Sequence, residues 1–594
     1  MNKIIFLNDF QKNELMNNQK SVENFFEGFL LKPFEIENNK KIIPIEFMPC
    51  YSHSHFHLIV KIPQLNLVKR DRSYQNGDGF HFVLANPKEN NEPSDEFYVI
   101  AVSPEEEKIF IWYKNIDFIG KKLEDSIIKY HKTDENLFLI LSIPWKELAP
   151  LKSFFVEKYG FNLSYVQAIE DGKNVYIFEE DDKIQSEQSL RKYIVFDFEK
   201  PEGFNTFEYS LRLNRCHFDF NDNIFLELYA LNPQNDEIEI TVKQEDNILL
   251  SKKIKEDNQI LNKVYELSKT FLKEGFNELN IEIKIEEKCF EEKIDFFVYS
   301  EKEYNNLFEK IDVSIENNFL SAESRISLLY YCKMISEKIK NIKSYEKFDE
   351  IYNLKVFTEE MIKEYEKNGD IFIKGKVNHL AHLSNIDNTY QPYSLYVPTK
   401  KSDKLLIYLH GSGSDDKSVV NAKYLLKFAE ENNIIILAPF SRGTSHFYCS
   451  KDSLLETKEI MDKIIKLFNI NKNEVYLSGF SMGGYGVLRV YDEYPVFKAI
   501  IMISGHHSIG TYFDGYDYSK EEKMKIFKDV PFIAFHGKED NNCSFKEVNV
   551  FFEKMKKENK NFDFIVSENL GHSGLTEEWY EDLCNWYKNT FANI

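Results

Sequence analysis

Six short, nearly continuous apolar runs lie between residues 405 and 566, and helical stretches separate several of them. The runs are Leu405–Leu409, Ile434–Leu437, Val475–Leu477, Ala499–Ile503, Phe532–Phe535 and Phe562–Val566. A strand that is apolar on both faces has to be covered on both, and parallel neighbours need a crossover long enough to hold a helix. Helical patterning falls at Ser453–Phe468, Met482–Tyr494, Ser544–Lys557 and Thr576–Thr590. The alternation predicts a mostly parallel sheet with helices on both sides across residues 369–594.

The remaining sequence follows other rules. A chain of 594 residues suggests about three to five domains. Residues 1–200 carry strand-like runs at Phe56–Ile62, Phe80–Leu84, Phe97–Val102, Ile109–Tyr113, Phe138–Ile143 and Gly160–Val166. Turn signals such as Asn76-Gly-Asp-Gly79 separate them, which predicts a β-sandwich. Near-alternating runs at Ile224–Leu231, Glu237–Val242 and Leu279–Ile285 predict a second, smaller sandwich of immunoglobulin-like type over 201–300. Cys216 and Cys289 would face each other across it or stay unpaired. Residues 301–368 have helical periodicity rich in Lys and Glu and read as helices that link the sandwiches to the sheet.

Composition narrows the partners. With 43% apolar and 29% charged residues the chain is globular rather than disordered. A net charge of −22 disfavours general binding to nucleic acid or to anionic membranes, so neither is expected as a partner. Seven scattered cysteines with no Cys-x-x-Cys pair speak against a disulfide framework or zinc ribbon. The first ten residues lack the apolar stretch of about 7–15 residues that a secretory signal needs. Runs such as Ile434–Phe440 fall far short of the ~20 residues that span a bilayer. The expectation is a cytoplasmic protein.

Gly479-Phe-Ser-Met-Gly-Gly484 sits between the run Val475–Leu477 and a helical stretch. With 23 glycines in 594 residues, a given serine has glycine at both −2 and +2 by chance roughly once in 670. The position says more than the spacing. A nucleophile elbow has to turn sharply from strand to helix to lift a serine oxygen clear of the sheet, and small neighbours let the two elements approach. The plain alternative is an ordinary glycine-rich helix start.

A serine nucleophile needs a base. His410 precedes the serine, whereas in a fold of this kind the acid and then the base follow it. His506 and His507 come straight after the next strand and leave no room for an acid between. His536 ends the strand after that. His572, in Asn569-Leu-Gly-His-Ser573, remains. The acid is Glu539 or Asp540 in His536-Gly-Lys-Glu-Asp540. Ser544-Phe-Lys-Glu547 supplies a capping box for the following helix. Asp540 is therefore free to hold an imidazole and fix its tautomer, with Glu539 solvated. His410-Gly-Ser-Gly413 ends the first strand of the series. A turn there can aim a backbone N–H at a developing oxyanion together with that of Met482. It lacks the third glycine of a dinucleotide fingerprint, and no Walker lysine follows.

These segments, with Tyr396-Val-Pro398, Ala438-Pro439, Arg442-Gly443, Tyr494-Pro495 and Ile503-Ser-Gly505, resemble α/β-hydrolases of the carboxylesterase and poly(3-hydroxybutyrate) depolymerase-like group. The resemblance spans residues 390–594. It implies a catalytic triad of Ser481, Asp540 and His572, oxyanion donors at the backbone N–H of Ser412 and Met482, and no cofactor or metal. The prolyl oligopeptidase group shares this core, but an aromatic usually follows its serine where this chain has Met482, and residues 1–368 show no propeller repeat. About 25 residues separate Gly505 from the next strand, too few for a large lid, so an open pocket is expected.

Asp78-Gly-Phe-His-Phe82, Ile143-Pro-Trp-Lys-Glu-Leu148 and Gly160-Phe-Asn162 resemble the family 9 carbohydrate-binding modules. That resemblance implies a sandwich that binds sugars, with Trp145 as a stacking platform or as a buried core residue. His53, His55 and His57 alternate, and on one strand all three would share a face and could ligate Zn²⁺ or Ni²⁺. No spaced fourth ligand accompanies them, and a half-exposed strand face is the simpler reading. The sequence thus points to a serine hydrolase acting on soluble or carbohydrate-linked carboxylic esters. A peptidase of the prolyl oligopeptidase type and a glycan-binding protein with an inert hydrolase domain are the rivals.

Overall fold

The computed structural model describes residues 3–26, 29–30, 45–69, 73–87, 96–115, 117–149, 151, 158–168, 175–179, 194–199, 207–300, 302, 306, 309, 322–339, 345–368, 372–509 and 516–591. Parts of the expected helical segment 301–368 lie outside them. The chain forms two compact units, Met1–Asn305 with Glu337–Asn353 and Asn306–Ser336 with Leu354–Ile594. Among the described residues no helix is long and apolar enough to cross a membrane.

The first unit holds two β structures. In the first, Asp117–Lys122, Lys108–Lys114, Phe97–Ser103, Gly79–Ala85, Lys158–Ala168 and Ile194–Phe198 pair in that order. Glu46–Tyr51, His55–Ile62, Leu137–Pro144 and Ile127–Lys132 form a second face. Lys3–Phe6 pairs in parallel with both Ile194–Phe198 and Glu46–Tyr51, so one strand joins the two faces. Phe47, Phe56, Phe82 and Phe161 fill the space between. Leu15 and Val22, on the short helices Asp9–Asn17 and Gln19–Phe25, cover the outer side of the second face. Strands covered on both sides lose the alternation of a half-solvated sheet, and Gly79–Ala85 and Phe97–Ser103 are buried throughout. Asp78 is buried, and its carboxylate accepts N–H bonds from Val68 and Ala168, both at 2.7 Å.

In the second structure, a three-stranded sheet (Glu208–Leu213, Phe225–Leu231, Ile260–Glu266) faces a five-stranded one around Leu226, Leu228, Ile240, Leu279 and Ile281. Neither Cys216 nor Cys289 is in a disulfide. His217 pairs with Phe297, eight residues along the strand from Cys289, a separation on the order of 26 Å.

The second unit carries the sheet predicted from the apolar runs. Its strands are β1 (Val377–Leu383), β2 (Tyr390–Tyr396), β3 (Lys404–Leu409), β4 (Ile434–Pro439), β5 (Val475–Phe480), β6 (Ala499–Ile503), β7 (Phe532–Gly537) and β8 (Phe562–Ser567). They lie in the order β1-β2-β4-β3-β5-β6-β7-β8, parallel from β4 onward. Each of the six expected strands is present within a few residues, and the antiparallel pair β1–β2 precedes them. Its longer helices are α1 (Ala322–Ile339, in this unit as far as Ser336), α2 (Tyr345–Asn368, in this unit from Leu354), α3 (Lys423–Asn432), α4 (Lys451–Phe468), α5 (Met482–Glu493), α6 (Phe545–Glu558) and α7 (Glu577–Phe591). One face packs against α4, α5 and α6, the other against α3 and α7. Such a sheet presents the carboxyl ends of its parallel strands at one edge, where ligands of open α/β sheets bind.

Candidate active site

Ser481 stands at the turn from β5 into α5, with φ 56° and ψ −113°. Positive φ is costly for a residue with a Cβ, on the order of 1–3 kcal/mol. Close packing holds it there. A Cβ on Gly483 would lie 2.0 Å from the Leu409 carbonyl oxygen, and one on Gly479 would lie 2.1 Å from that of Gly483. Helix α5 therefore starts hard against the end of β3, and only glycine fits at either place. The Ser481 N–H donates to Ile503 O at 3.0 Å, which ties the turn to β6.

The expected partners meet at this turn. Ser481 Oγ is 2.8 Å from His572 Nε2, and His572 Nδ1 is 2.9 Å from Asp540 Oδ2. A carboxylate accepts only, so Nδ1 carries the proton and Nε2 is left to accept from the serine hydroxyl. Asp540 has a fully buried side chain, whereas Glu539 is exposed. His410 is buried with Nδ1 3.0 Å from Gly411 O and Nε2 3.2 Å from Phe440 O, a structural role at the end of β3.

The reason Asp540 is available differs from the sequence argument. Ser544 makes no side-chain cap bond, and Glu547 pairs with His506 Nε2 at 2.9 Å, so the expected capping box is not formed. Asp540 closes its own turn instead, with Oδ1 accepting the N–H of Asn542 at 2.9 Å and of Cys543 at 2.8 Å. That leaves Oδ2 for the imidazole. His536, set aside by sequence reasoning, is fully buried beneath the turn, with Nε2 2.8 Å from Cys543 O and 3.4 Å from Asp540 Oδ2. Burial lowers its pKa, so it is a neutral donor that tethers the loop of Asp540. The spacing His536-x-x-x-Asp540 was the available signal.

Met482 is the first residue of α5, and the first N–H groups of a helix have no partner within it. Gly411 lies against the serine, since a Cβ there would be 3.5 Å from Ser481 Cβ. The segment that follows Arg442-Gly443 braces Ser412. Gly413 N–H donates to Thr444 O at 2.7 Å, and Ser412 Oγ lies 3.0 Å from Ser445 Oγ. Arg442 anchors that segment through Asp387 at 2.6 Å, Ser384 at 2.8 Å and the buried Glu456 at 2.9 Å. The result is a serine, a histidine and an aspartate in line, with the start of α5 and the turn at Gly411 next to them.

The other flagged residues lie in the first unit. His53 precedes the strand that begins at His55, packs on Phe6 and lies 3.5 Å from Glu208. His57 is buried between Ser52 Oγ at 3.0 Å and Ser142 Oγ at 2.7 Å. The three histidines therefore do not share one ligating face as the alternation suggested, because the chain bends between His53 and His55. Trp145 is 5% exposed and donates its indole N–H to Ser52 O at 3.0 Å.

A profile of the prolyl oligopeptidase family matches residues 510–593, a stretch that contains Asp540 and His572 but not Ser481. No curated protein matches the chain. Similar solved structures include the fluorophosphonate-binding serine hydrolase F of Staphylococcus aureus, 16% identical over 37% of this chain and 98% of that one, with a TM-score of 0.30. An esterase of Pyrococcus furiosus is 17% identical over 36% of this chain and 92% of that one, TM-score 0.30. A poly(3-hydroxybutyrate) depolymerase from Bordetella parapertussis is 15% identical over 37% and 91%, TM-score 0.30.

Proposed function

We propose that the second unit is a serine hydrolase that cleaves soluble or carbohydrate-linked carboxylic esters. The observation that carries the reading is the pair of distances at the strained turn, 2.8 Å from Ser481 Oγ to His572 Nε2 and 2.9 Å from His572 Nδ1 to Asp540 Oδ2. Ser481 Oγ attacks the ester carbonyl while its proton passes to Nε2. The carbonyl electrons move onto oxygen, and the oxyanion accepts hydrogen bonds from the N–H groups of Ser412 and Met482. Collapse expels the alkoxide, which takes the proton from the imidazolium and leaves as the alcohol. Water then attacks the acyl-enzyme by the same route and releases the acid. Asp540 holds the tautomer throughout.

The test compares p-nitrophenyl esters with proline and alanine peptide nitroanilides, using wild type and Ser481→Ala. Hydrolysis of the esters alone, lost in the variant, is expected. Turnover of the nitroanilides in preference to the esters would favour the peptidase that the family match suggests. A first unit that presents carbohydrate-linked substrate belongs to the same reading. It predicts that deleting residues 1–300 slows deacylation of a polysaccharide ester without slowing that of a small one.

A further inference from the structure

A cavity of about 270 Å³ lies beside the elbow. Gly411 and Phe480 form part of its wall, Leu575 follows His572 in the chain, Ser418 and Asn421 come from the segment that leads into α3, and Leu425 comes from α3 itself. The cavity adjoins the reacting groups. A Cβ on Gly411 would stand 3.2 Å from the Phe480 ring and 3.5 Å from Ser481 Cβ, and the Phe480 and His572 ring centroids are 5.1 Å apart. Among the described residues no charged side chain lines it. Its polar groups are hydroxyls and one amide, and burial pushes the Tyr408 phenol up to about 12, so that group stays neutral. A charged group seated there would lose its hydration with nothing of opposite sign to replace it. At roughly 30 Å³ per water-sized group, the space holds about nine non-hydrogen atoms.

We propose that this cavity takes one uncharged substituent of the ester, a short aliphatic or single-ring acyl or alkoxy group, and that Ala422 and Ser418 set its length limit. The proposal rests on the serine-hydrolase reading. A group as large as feruloyl exceeds the space, so the cavity selects acetyl-to-hexanoyl or benzoyl-sized substituents.

Two substrate series separate the acyl side from the alcohol side. One holds p-nitrophenyl as the leaving group and lengthens the acyl chain from acetyl to decanoyl. The other holds acetyl and lengthens the alcohol from methyl to decyl. In one series kcat/KM should rise about three- to fivefold per methylene, then level off or fall beyond about nine non-hydrogen atoms. A terminal carboxylate or ammonium on that substituent should lower kcat/KM at least tenfold. Ala422→Leu, which adds a branched side chain to the lining, should shift the optimum to shorter chains by two to four carbons. Ser418→Val should act in the same direction, which covers misfolding of the first variant. Flat profiles in both series, or folded variants with wild-type profiles, would overturn the proposal. A wild-type protein whose Ser481 takes no fluorophosphonate and that cleaves no ester overturns the hydrolase reading itself, and this proposal with it.

Discussion

Asp540 divides its work between two oxygens, one closing its own turn on Asn542 and Cys543 and the other facing His572. Replacing it with Asn keeps the shape but puts an amide donor toward Nδ1, which reverses the tautomer. Asp540→Asn should lower kcat on the order of 10⁴-fold, and Glu539→Gln, on an exposed side chain, should change it less than about twofold; p-nitrophenyl acetate kinetics on both variants distinguish them, and equal effects would reject Asp540 as the acid. That Ser481 and His572 meet was legible because glycine spacing and chain order carry direct physical meaning. The tether from His536 to Cys543 O and the brace at Thr444 and Ser445 were not, because backbone carbonyl partners leave no mark on residue type. A second prediction concerns His81, fully buried with neither ring nitrogen hydrogen-bonded. Desolvation pushes its pKa down from 6.5 to about 3. The unfolded chain therefore binds a proton below about pH 6.5 while the folded one does not, so stability is lost as pH falls through that window. At pH 5 the loss is about 2 kcal/mol from this residue. Amide exchange in Gly79–Ala85 should show the first unit losing about that much more stability between pH 7 and 5 in wild type than in His81→Phe; an identical pH slope in the two proteins would contradict it.

The strand-to-helix elbow is the element on which the site depends. Gly483→Ala would place a Cβ 2.0 Å from the Leu409 carbonyl oxygen, a backbone atom that cannot move without shifting β3. The variant should be destabilised by more than about 3 kcal/mol and lose its Ser481 geometry. Urea unfolding and fluorophosphonate labelling would both report this, and a stable, fully labelled variant would mean that the close approach is not required. Elements were readable where one environment covered them. Strands β3 to β7, buried along nearly their whole length, appeared as nearly unbroken apolar runs, whereas β8 at the sheet edge carries the exposed Asp563. Strand β2, Tyr390–Tyr396, contains Pro392, a residue that normally argues against a strand interior. The register explains its place: pairing with β4 begins at Tyr393, so the missing N–H is not called upon on that side. The helices Asp9–Asn17 and Gln19–Phe25 were lost within a region dominated by strand signals.

At the scale of the whole chain, the sheet of the second unit draws on residues well before β1. Leu328 and Cys332 from α1 and Met361 from α2 are buried in the same core as Leu380 and Tyr393. Ser327 Oγ bonds the N–H of Ala381 at 2.9 Å and its carbonyl at 3.0 Å. The segment 301–368, read from its periodicity as a connection, thus contributes side chains to this core. We expect a fragment of residues 306–594 to fold and to hydrolyse p-nitrophenyl acetate at close to the full chain's rate. A fragment of 369–594 should be less stable, on the order of 5 kcal/mol, because those apolar side chains are gone. Circular dichroism and urea titration of both fragments check this, and equal stability would mean that the two helices add nothing to the core. Every step of the proposed reaction depends on Ser481 being a nucleophile activated by His572. The most direct measurement is peptide mapping by mass spectrometry after the full chain reacts with a fluorophosphonate, run beside Ser481→Ala. The prediction is a single adduct on Ser481 that the alanine variant lacks, with p-nitrophenyl acetate turnover in that variant down on the order of 10⁶-fold. An unmodified Ser481, or an alanine variant that still turns over the ester, would contradict it.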